Sequence, residues 1–173
     1  MVALVSSALT IFCWHVHVYF LQRNVDSVNA ALAIHSDFLK TFEVSASTCE
    51  AEVTEGDICV WGCQDNSTSC LNMVPEGPHT FGSVGFSMPN AKYNDVIPWV
   101  FRTYEIFGSR IAGILIHPLT APRGKDTIKS RRRDHTLGIW MPQRLPIDYD
   151  FLDHNEYDCS ECDPANCTQA CDQ

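Results

Sequence analysis

The chain of 173 residues has few basic side chains, with 12 lysines and arginines against 21 aspartates and glutamates and a formal net charge of -9 at pH 7. Binding to nucleic acid needs a basic surface that releases counterions from the phosphates, so the charge argues against such a partner. The sequence also lacks an uninterrupted apolar run of the roughly 20 residues that a membrane-spanning helix needs. Neither a nucleic acid nor a membrane is therefore expected as a partner.

The motifs of several common enzyme classes are missing as well. The sequence contains no G-x-S-x-G turn of a serine hydrolase, no H-E-x-x-H helix of a zinc protease and no glycine-rich phosphate turn of a dinucleotide-binding fold. Its composition, 45% hydrophobic, is sufficient for one ordinary globular core. We expect a single domain over residues 1–156, followed by a tail over 157–173.

Cysteine, in contrast, is abundant: there are nine, and eight of them fall into two groups of four. One group lies in an insert of about residues 45–76 and the other in the tail; the members are Cys49, Cys59, Cys63, Cys70, Cys159, Cys162, Cys167 and Cys171. Glycosylation sequons at Asn66 and Asn166 lie in the same two groups. Disulfides in a secreted glycoprotein are therefore favoured over zinc, which the Cys159-x-x-Cys162 spacing would also suit. Cys13, beside the first predicted strand, is expected to be a small buried hydrophobe.

The N-terminal residues bear on where the protein is located. Residues 1–12 form a short apolar run with no basic residue ahead of it, and the run leads straight into a predicted strand, so it is a poor signal peptide. The favoured interpretation is that the true start of the chain is missing; the alternative is a weak signal cleaved near Ser7. A secreted or extracytoplasmic location is expected, with a cytoplasmic one as the alternative.

Two helices are predicted from the spacing of apolar residues. The first covers about residues 25–42 and is capped by Asn24. The second begins at Asn94 or Asp95 and ends at Gly108, since glycine commonly terminates helices. Both have one apolar side, so both are expected to pack on a sheet.

The strands come from alternating or β-branched runs, and they cover residues 14–20, 81–88, 110–118 and 135–141, with a polar loop over 120–133. Together with the helices they predict an α+β, ferredoxin-like two-layer sandwich: a mostly antiparallel sheet with two helices on one face. This arrangement requires one further short strand, expected within about residues 70–79. The cysteine-rich insert and the cysteine-rich tail are additions to that domain.

Histidines recur on the predicted strands. In the strand WHVHVYF, side chains two apart share a face, so His15, His17 and Tyr19 point away from the helices. The other predicted strands carry a histidine at one end, and these are His79, His117 and His135. Such ends can converge in an antiparallel sheet, and clustered imidazoles commonly bind transition metals. His35 differs, because it lies on the apolar side of the first helix and is interpreted as a packed or hydrogen-bonded core residue.

Several motifs resemble the DOPA 4,5-dioxygenase family of fungal type, in the family's order over about residues 12–153. They are His15-x-His17-x-Tyr19, Gly77-Pro78-His79, Pro98-Trp99, His117-Pro118 and Asp134-His135 leading to Trp140. The resemblance implies a ferredoxin-like fold and extradiol cleavage of a catechol by O₂ with non-haem Fe(II), for which Zn could substitute. The sequence departs from the family in the cysteine-rich segments, in the long loop before His135 and at Pro142, where glycine is expected.

Extradiol cleavage needs a metal with open positions, a base for the second phenolic proton and an acid for O–O breakage. We assign His17, His79 and His117 to the metal, and His15 and His135 to proton transfer. Asp134 is the candidate carboxylate ligand, or it orients His135 from outside.

For the substrate, Tyr19 is assigned to a hydrogen bond and Arg133 to the carboxylate of an amino-acid catechol. Surface packing or a solvated loop is an equally good account of both residues. A homo-oligomer is plausible because the open face of the sheet needs cover.

Two other functions remain open from the sequence. The chain could be a secreted, disulfide-stapled binding module that keeps the fold without catalysis, although such a scaffold has no need for five histidines. A thiol-redox protein using Cys159 and Cys162 is disfavoured, because no helix is predicted there to stabilise a thiolate.

Overall fold

The computed structural model describes residues 9–44, 58–60, 68–75, 79–120, 128–143 and 145. The helices and strands, in chain order, are β1 (Cys13–Phe20), α1 (Val25–Thr41), β2 (Cys59–Val60), β3 (Gly82–Pro89), α2 (Tyr93–Phe107), β4 (Gly113–Leu119), α3 (Ile128–Thr136) and β5 (Ile139–Met141). Among these described elements no helix is both long enough and apolar enough to cross a membrane.

One antiparallel sheet unites the described strands in the order β2-β3-β1-β4-β5. The elements from β1 to β4 follow the βαββαβ order of a ferredoxin-like fold, with the first strand between the third and the fourth. The α+β prediction is confirmed, and β5 extends the sheet beyond β4. The insert is described only in part, and the tail lies outside the described residues.

Helix α1 begins as predicted. The Asn24 side chain accepts hydrogen bonds from the backbone N–H groups of Asp26 and Ser27, at 3.0 and 3.1 Å, which satisfies two donors that the first turn leaves open. The C-terminus is closed by a hydrogen bond of 3.1 Å from the Val44 N–H to the Leu39 carbonyl.

Helix α2 begins earlier than predicted. It starts at Tyr93, directly after a turn of 3₁₀-helix, and Asn94 and Asp95 are therefore inside the helix rather than at its cap. The predicted end is confirmed: Gly108 donates its N–H to the Tyr104 carbonyl at 2.8 Å. A Cβ at Gly108 would lie 2.5 Å from that carbonyl oxygen, which explains why glycine stands there.

The main core lies between the sheet and the first two helices. Val16, Val18 and Phe20 of β1 are almost completely buried in it, together with the apolar residues of α1 and α2. The Trp99 Nε1–H of α2 donates to the Asp37 carboxylate of α1 at 2.7 Å, which ties the two helices together. As predicted, both helices cover one face of the sheet and the histidine-bearing side of β1 faces the other way.

Four local expectations are wrong. Helix α3 lies where a polar loop over 120–133 and the start of a strand at His135 were predicted. The last strand begins only at Ile139. The short extra strand is β2, whereas the 70–79 segment contributes an isolated bridge between Asn72 and Ser83. The Cys13 thiol is half-buried rather than buried. The histidine face is not open, because the end of α3 lies against it.

The cysteines of the insert are described in part. Cys59 and Cys70 are both buried and both disulfide-bonded. The other two cysteines of that group, Cys49 and Cys63, lie outside the described residues, as do both sequons and the four cysteines of the tail. The disulfide interpretation of the two groups of cysteines stays a prediction.

Candidate functional site

The candidate site lies on the face of the sheet opposite to α1 and α2. The register places His15 of β1 directly opposite His117 of β4, so that both imidazoles project from the same face. On the other side of β1, the residues opposite His15, His17 and Tyr19 are Ser87, Gly85 and Ser83. The residues of β3 on this face are therefore small, and all three are buried.

Three of the imidazoles are close enough to share one metal ion. A nitrogen of each of His15, His17 and His117 lies within 4.8 Å of the other two. The Nε2 atoms of His17 and His117 are 3.1 Å apart. Two nitrogens bound at about 2.1 Å to one ion, at octahedral or tetrahedral angles, are about 3.0–3.4 Å apart, so this pair fits a shared metal.

The second nitrogen of His117 also supports ligation. Its Nδ1 lies 3.1 Å from the carbonyl oxygen of Pro118. A carbonyl oxygen only accepts hydrogen bonds, so Nδ1 carries the proton and Nε2 keeps a lone pair. A ring held in this way by a backbone carbonyl is the usual arrangement for a metal-binding histidine.

His79 occupies a different position in the cluster. Its Nδ1 lies 2.8 Å from the hydroxyl of Tyr19, and its ring centroid lies 4.6 Å from that of His17. The Tyr19 ring is stacked on Trp140 of β5, with centroids 5.9 Å apart and planes 10° apart. Tyr19 is thus enclosed between an aromatic ring and an imidazole.

His135 is delivered to the site by α3 rather than by a strand. Its Nδ1 lies 2.9 Å from the Arg131 carbonyl, and its ring is stacked 4.5 Å from that of His117. Gly138 follows α3 closely, and a Cβ there would lie 3.3 Å from the His117 Cβ. The absence of a side chain at Gly138 lets the end of the helix approach β4.

Burial changes the pKa values of several of these groups. It lowers the pKa of His79 to about 3, with further contributions from the nearby His135 and His15. Burial is also the largest cause of the lowered pKa values of His17 and His117, and the other imidazoles add to it. The pKa of Tyr19 is raised by burial. These three histidines are therefore neutral at pH 7, as metal ligands must be.

Asp134 and Arg133 are engaged with the end of β4. The Asp134 carboxylate is 1% exposed and accepts from the Thr120 N–H at 3.0 Å and from the Thr120 hydroxyl. Arg133 donates to the same hydroxyl, and its Nε lies 3.7 Å from Asp134. These contacts attach α3 to β4. The Nδ1 of His135, meanwhile, is held by a backbone carbonyl and not by Asp134.

The structure brings the five predicted histidines into one cluster, but it groups them differently from the prediction. His15 lies with His17 and His117, whereas His79 pairs with Tyr19. His35 is completely buried on α1, with its ring 6.4 Å from that of Phe86, in agreement with the interpretation as a core residue. Sequence reasoning did not identify Trp140 as a neighbour of the site, because its motif carries no chemistry by itself.

One family model matches most of the chain. Residues 14–151 match the Dopa 4,5-dioxygenase family. A DOPA 4,5-dioxygenase from Amanita muscaria is 25% identical over 135 residues, which are 78% of this chain and 46% of that protein. The chain therefore spans about half the length of this relative. A crystal structure of a candidate dioxygenase from Nostoc punctiforme has the same fold, with a TM-score of 0.52 over 83% of this chain and 92% of that one, at 20% identity.

Proposed function

Since the chain belongs to the Dopa 4,5-dioxygenase family, we propose that it is a non-haem, metal-dependent extradiol dioxygenase that opens the ring of a catechol such as L-DOPA with O₂. The observation that carries the proposal is that one imidazole nitrogen from each of His15, His17 and His117 lies within 4.8 Å of the other two. A set of three protein ligands leaves positions open for a substrate and a gas molecule.

We assign the metal to these three histidines, with Fe(II) as the functional ion and Zn as a substitute. The assignment replaces His79 by His15 relative to the sequence-based hypothesis. Its support is the spacing of the nitrogens, together with the Nδ1 contact of His79, which points to Tyr19. His15, His17 and His117 would hold the Fe(II), which would supply Lewis-acid activation of the catechol and redox chemistry toward O₂.

His135 is our candidate for the general base. Its Nδ1 faces the Arg131 carbonyl, so the neutral ring keeps its lone pair on Nε2, which can accept a phenolic proton. His79 is the second proton-transfer candidate, and its ring centroid lies 5.7 Å from that of His135. Neither role requires Asp134, whose carboxylate is held by Thr120.

Ser83, Gly85 and Ser87 of β3 lie opposite the histidines and Tyr19 but are themselves buried, so we assign the substrate ring only to the open positions of the metal. Arg133 remains our candidate partner for a substrate carboxylate. The side chain of Arg133 is 44% exposed, so its guanidinium retains a free edge for a bidentate contact despite the bonds to Thr120.

A measurement of metal binding distinguishes His79 as a metal ligand from His79 as a proton-transfer residue. We expect His15→Gln and His117→Gln to weaken the binding of Zn(II) by more than the roughly 10–100-fold that the loss of an outer-shell partner costs. His79→Gln and His135→Gln should bind Zn(II) nearly as well as the wild type. Titration calorimetry on all four variants measures this. If His79→Gln lost metal binding and His15→Gln retained it, the ligands would be His17, His79 and His117, as predicted from the sequence.

Activity is tested by loading the protein anaerobically with Fe(II) and then adding L-DOPA and air. A yellow, ring-opened product is expected from the wild type, and little or none from His135→Gln. If Fe(II) binds but no catechol is opened, the chain is a binding module on this fold. If no metal binds, the enzyme proposal is wrong.

We also propose that the protein works in an oxidising, extracytoplasmic compartment. The support is the disulfide-bonded state of Cys59 and Cys70. Thiols counted under denaturing conditions in protein from the native source should be far fewer than the nine cysteines of the sequence. A full count of nine free thiols would favour the cytoplasm.

A further inference from the structure

The histidines of the cluster differ in the chemical nature of the group that holds Nδ1. For His117 that group is the backbone carbonyl of Pro118, and for His135 it is the backbone carbonyl of Arg131. For His79 it is the hydroxyl of Tyr19, at 2.8 Å. A carbonyl accepts only, whereas a phenol can donate or accept, so the direction of the Tyr19–His79 bond has to be decided separately.

The surroundings of Tyr19 decide that direction. The residue is 1% exposed, so its hydroxyl has little access to water. Within the described part of the chain, the Nδ1 of His79 is its one hydrogen-bonding partner. If His79 donated, the phenolic hydrogen would be buried without an acceptor, which costs about 1–3 kcal/mol. The stable arrangement has Tyr19 donating its O–H to Nδ1.

From this geometry we infer that Tyr19 holds His79 as the Nε2–H tautomer, so that His79 is a hydrogen-bond donor in the site while His117 and His135 present lone pairs. A neutral imidazole that accepts at Nδ1 carries its proton on Nε2. His79 therefore cannot bind metal through Nε2 in this state. Tyr19 is a positioning residue, which acts through His79.

The consequence for catalysis rests on the proposed function. The ring of His79 lies 4.6 Å from that of the metal ligand His17 and 5.7 Å from that of the proposed base, His135. An Nε2–H between these two residues is suited to an anionic oxygen, such as a catechol oxygen that has lost its proton. The cluster thus combines a proton acceptor with a neutral donor.

The tautomers can be read directly. The full chain, labelled with ¹⁵N-histidine and loaded with Zn(II), is studied by long-range ¹H–¹⁵N NMR, and His79→Gln identifies the His79 signals. We expect the proton of His79 on Nε2 and those of His117 and His135 on Nδ1. A proton on the Nδ1 of His79 in the wild type would overturn the inference, and this measurement needs no Tyr19 variant.

The same NMR measurement on Tyr19→Phe tests the role of Tyr19. The substitution should shift His79 toward the Nδ1–H tautomer and leave His117 and His135 unchanged, whereas Tyr104→Phe, a matched change on α2, should alter none of them. An unchanged His79 in Tyr19→Phe would contradict the role given to Tyr19.

Kinetics then separates this inference from the proposed function. With Fe(II) and L-DOPA, Tyr19→Phe should lower kcat by up to the roughly 10²–10³-fold that the loss of one preorganised hydrogen-bond donor costs. The double variant with His79→Gln should be no slower than His79→Gln alone, because Tyr19 acts through His79. Additive losses would contradict that. A wild type without activity would refute the proposed function, while the NMR result would still decide the tautomer.

Discussion

At the scale of the residue, the second partner of each imidazole determines what its other nitrogen can do. In His117 and His135 a backbone carbonyl accepts from Nδ1–H, so Nε2 carries a lone pair. In His79 the Tyr19 phenol donates to Nδ1, so Nε2 carries the hydrogen. These three histidines can thus take different roles without any difference in residue type. The strand periodicity explains why they meet, and the partners explain how they differ.

Gly138 offers a residue-scale test of how His135 is positioned. A methyl group there would lie 2.5 Å from the Leu115 Cδ1, 3.2 Å from the His135 carbonyl oxygen and 3.3 Å from the His117 Cβ. Leu115 can rotate away, but the other two neighbours move only with the backbone. We expect Gly138→Ala to cost about 1–3 kcal/mol of unfolding free energy, because the added methyl overpacks a closely fitted site. It should also reduce turnover by moving His135 away from His117.

Gly108→Ala is the matched control for this prediction. Its Cβ would lie 2.5 Å from the Tyr104 carbonyl oxygen, at the end of α2 and away from the histidines. Both variants should unfold at a lower temperature, and only Gly138→Ala should lose turnover per folded molecule. Wild-type turnover in Gly138→Ala would show that the close approach of α3 is not required.

At the scale of the element, α3 is held by tertiary contacts rather than by an apolar stripe. Its sequence, IKSRRRDHT, is strongly polar. Asp134 accepts two hydrogen bonds from Thr120 at the end of β4, and both partners are buried. The helix carries the proposed base, but none of the three proposed metal ligands lies on it. A substitution that weakens the attachment of α3 to β4 should therefore reduce turnover, which needs His135, more than it reduces metal affinity.

Asp134→Asn tests that separation. The amide has one acceptor oxygen, so one of the two Thr120 donors is lost, at a cost of about 1–3 kcal/mol for the buried partner. We expect turnover to fall strongly while the affinity for Zn(II) stays near the wild-type value. Calorimetry and steady-state kinetics on the same samples measure both quantities.

Asp95→Asn is the control for that substitution, because Asp95 lies at the surface, where it forms an ion pair with Lys92 at 3.7 Å. Such a pair contributes about 0–1 kcal/mol, so both turnover and stability should remain near wild type. If Asp134→Asn lost metal affinity as well, Asp134 would have to be reconsidered as a ligand.

At the scale of the whole molecule, the cluster makes the stability of the metal-free protein depend on pH. Burial lowers the pKa of His79 to about 3, and it also lowers the pKa values of His17 and His117 from their ordinary value of 6.5. Below pH 6.5 the unfolded chain binds protons that the folded chain excludes, so the free energy of unfolding must fall as the pH falls. It should be at its plateau above pH 7.

Urea unfolding of the metal-free protein between pH 7.5 and 4.5 measures this dependence. Each proton taken up on unfolding contributes a slope of about 1.4 kcal/mol per pH unit. His79→Gln should flatten the profile by up to one proton, whereas a substitution at an exposed, non-titrating residue such as Met73 should not change the slope. If the profile of His79→Gln were as steep as that of the wild type, His79 would bind its proton equally well in the folded and the unfolded chain.

Much of the fold followed from local patterns. The Asn24 cap, the Gly108 terminus and the alternation in β1 each depend on neighbouring residues, and each was predicted correctly. The start of α2 and the whole of α3 were not, because α2 directly follows a 3₁₀ turn and α3 depends on contacts of Asp134 with Thr120, 14 residues before it. Long-range partners leave no periodic trace in the sequence.

The sequence by itself determined that histidines would gather on one face of an antiparallel sheet, because a period of two is a local property of the strand. Only the tertiary structure decided which three nitrogens converge, and that His135 comes from a helix. It also decided which group each Nδ1 meets. Those contacts depend on strand register and on the docking of α3. The register brings together residues far apart in the chain, such as His17 and His117, which are 100 positions apart.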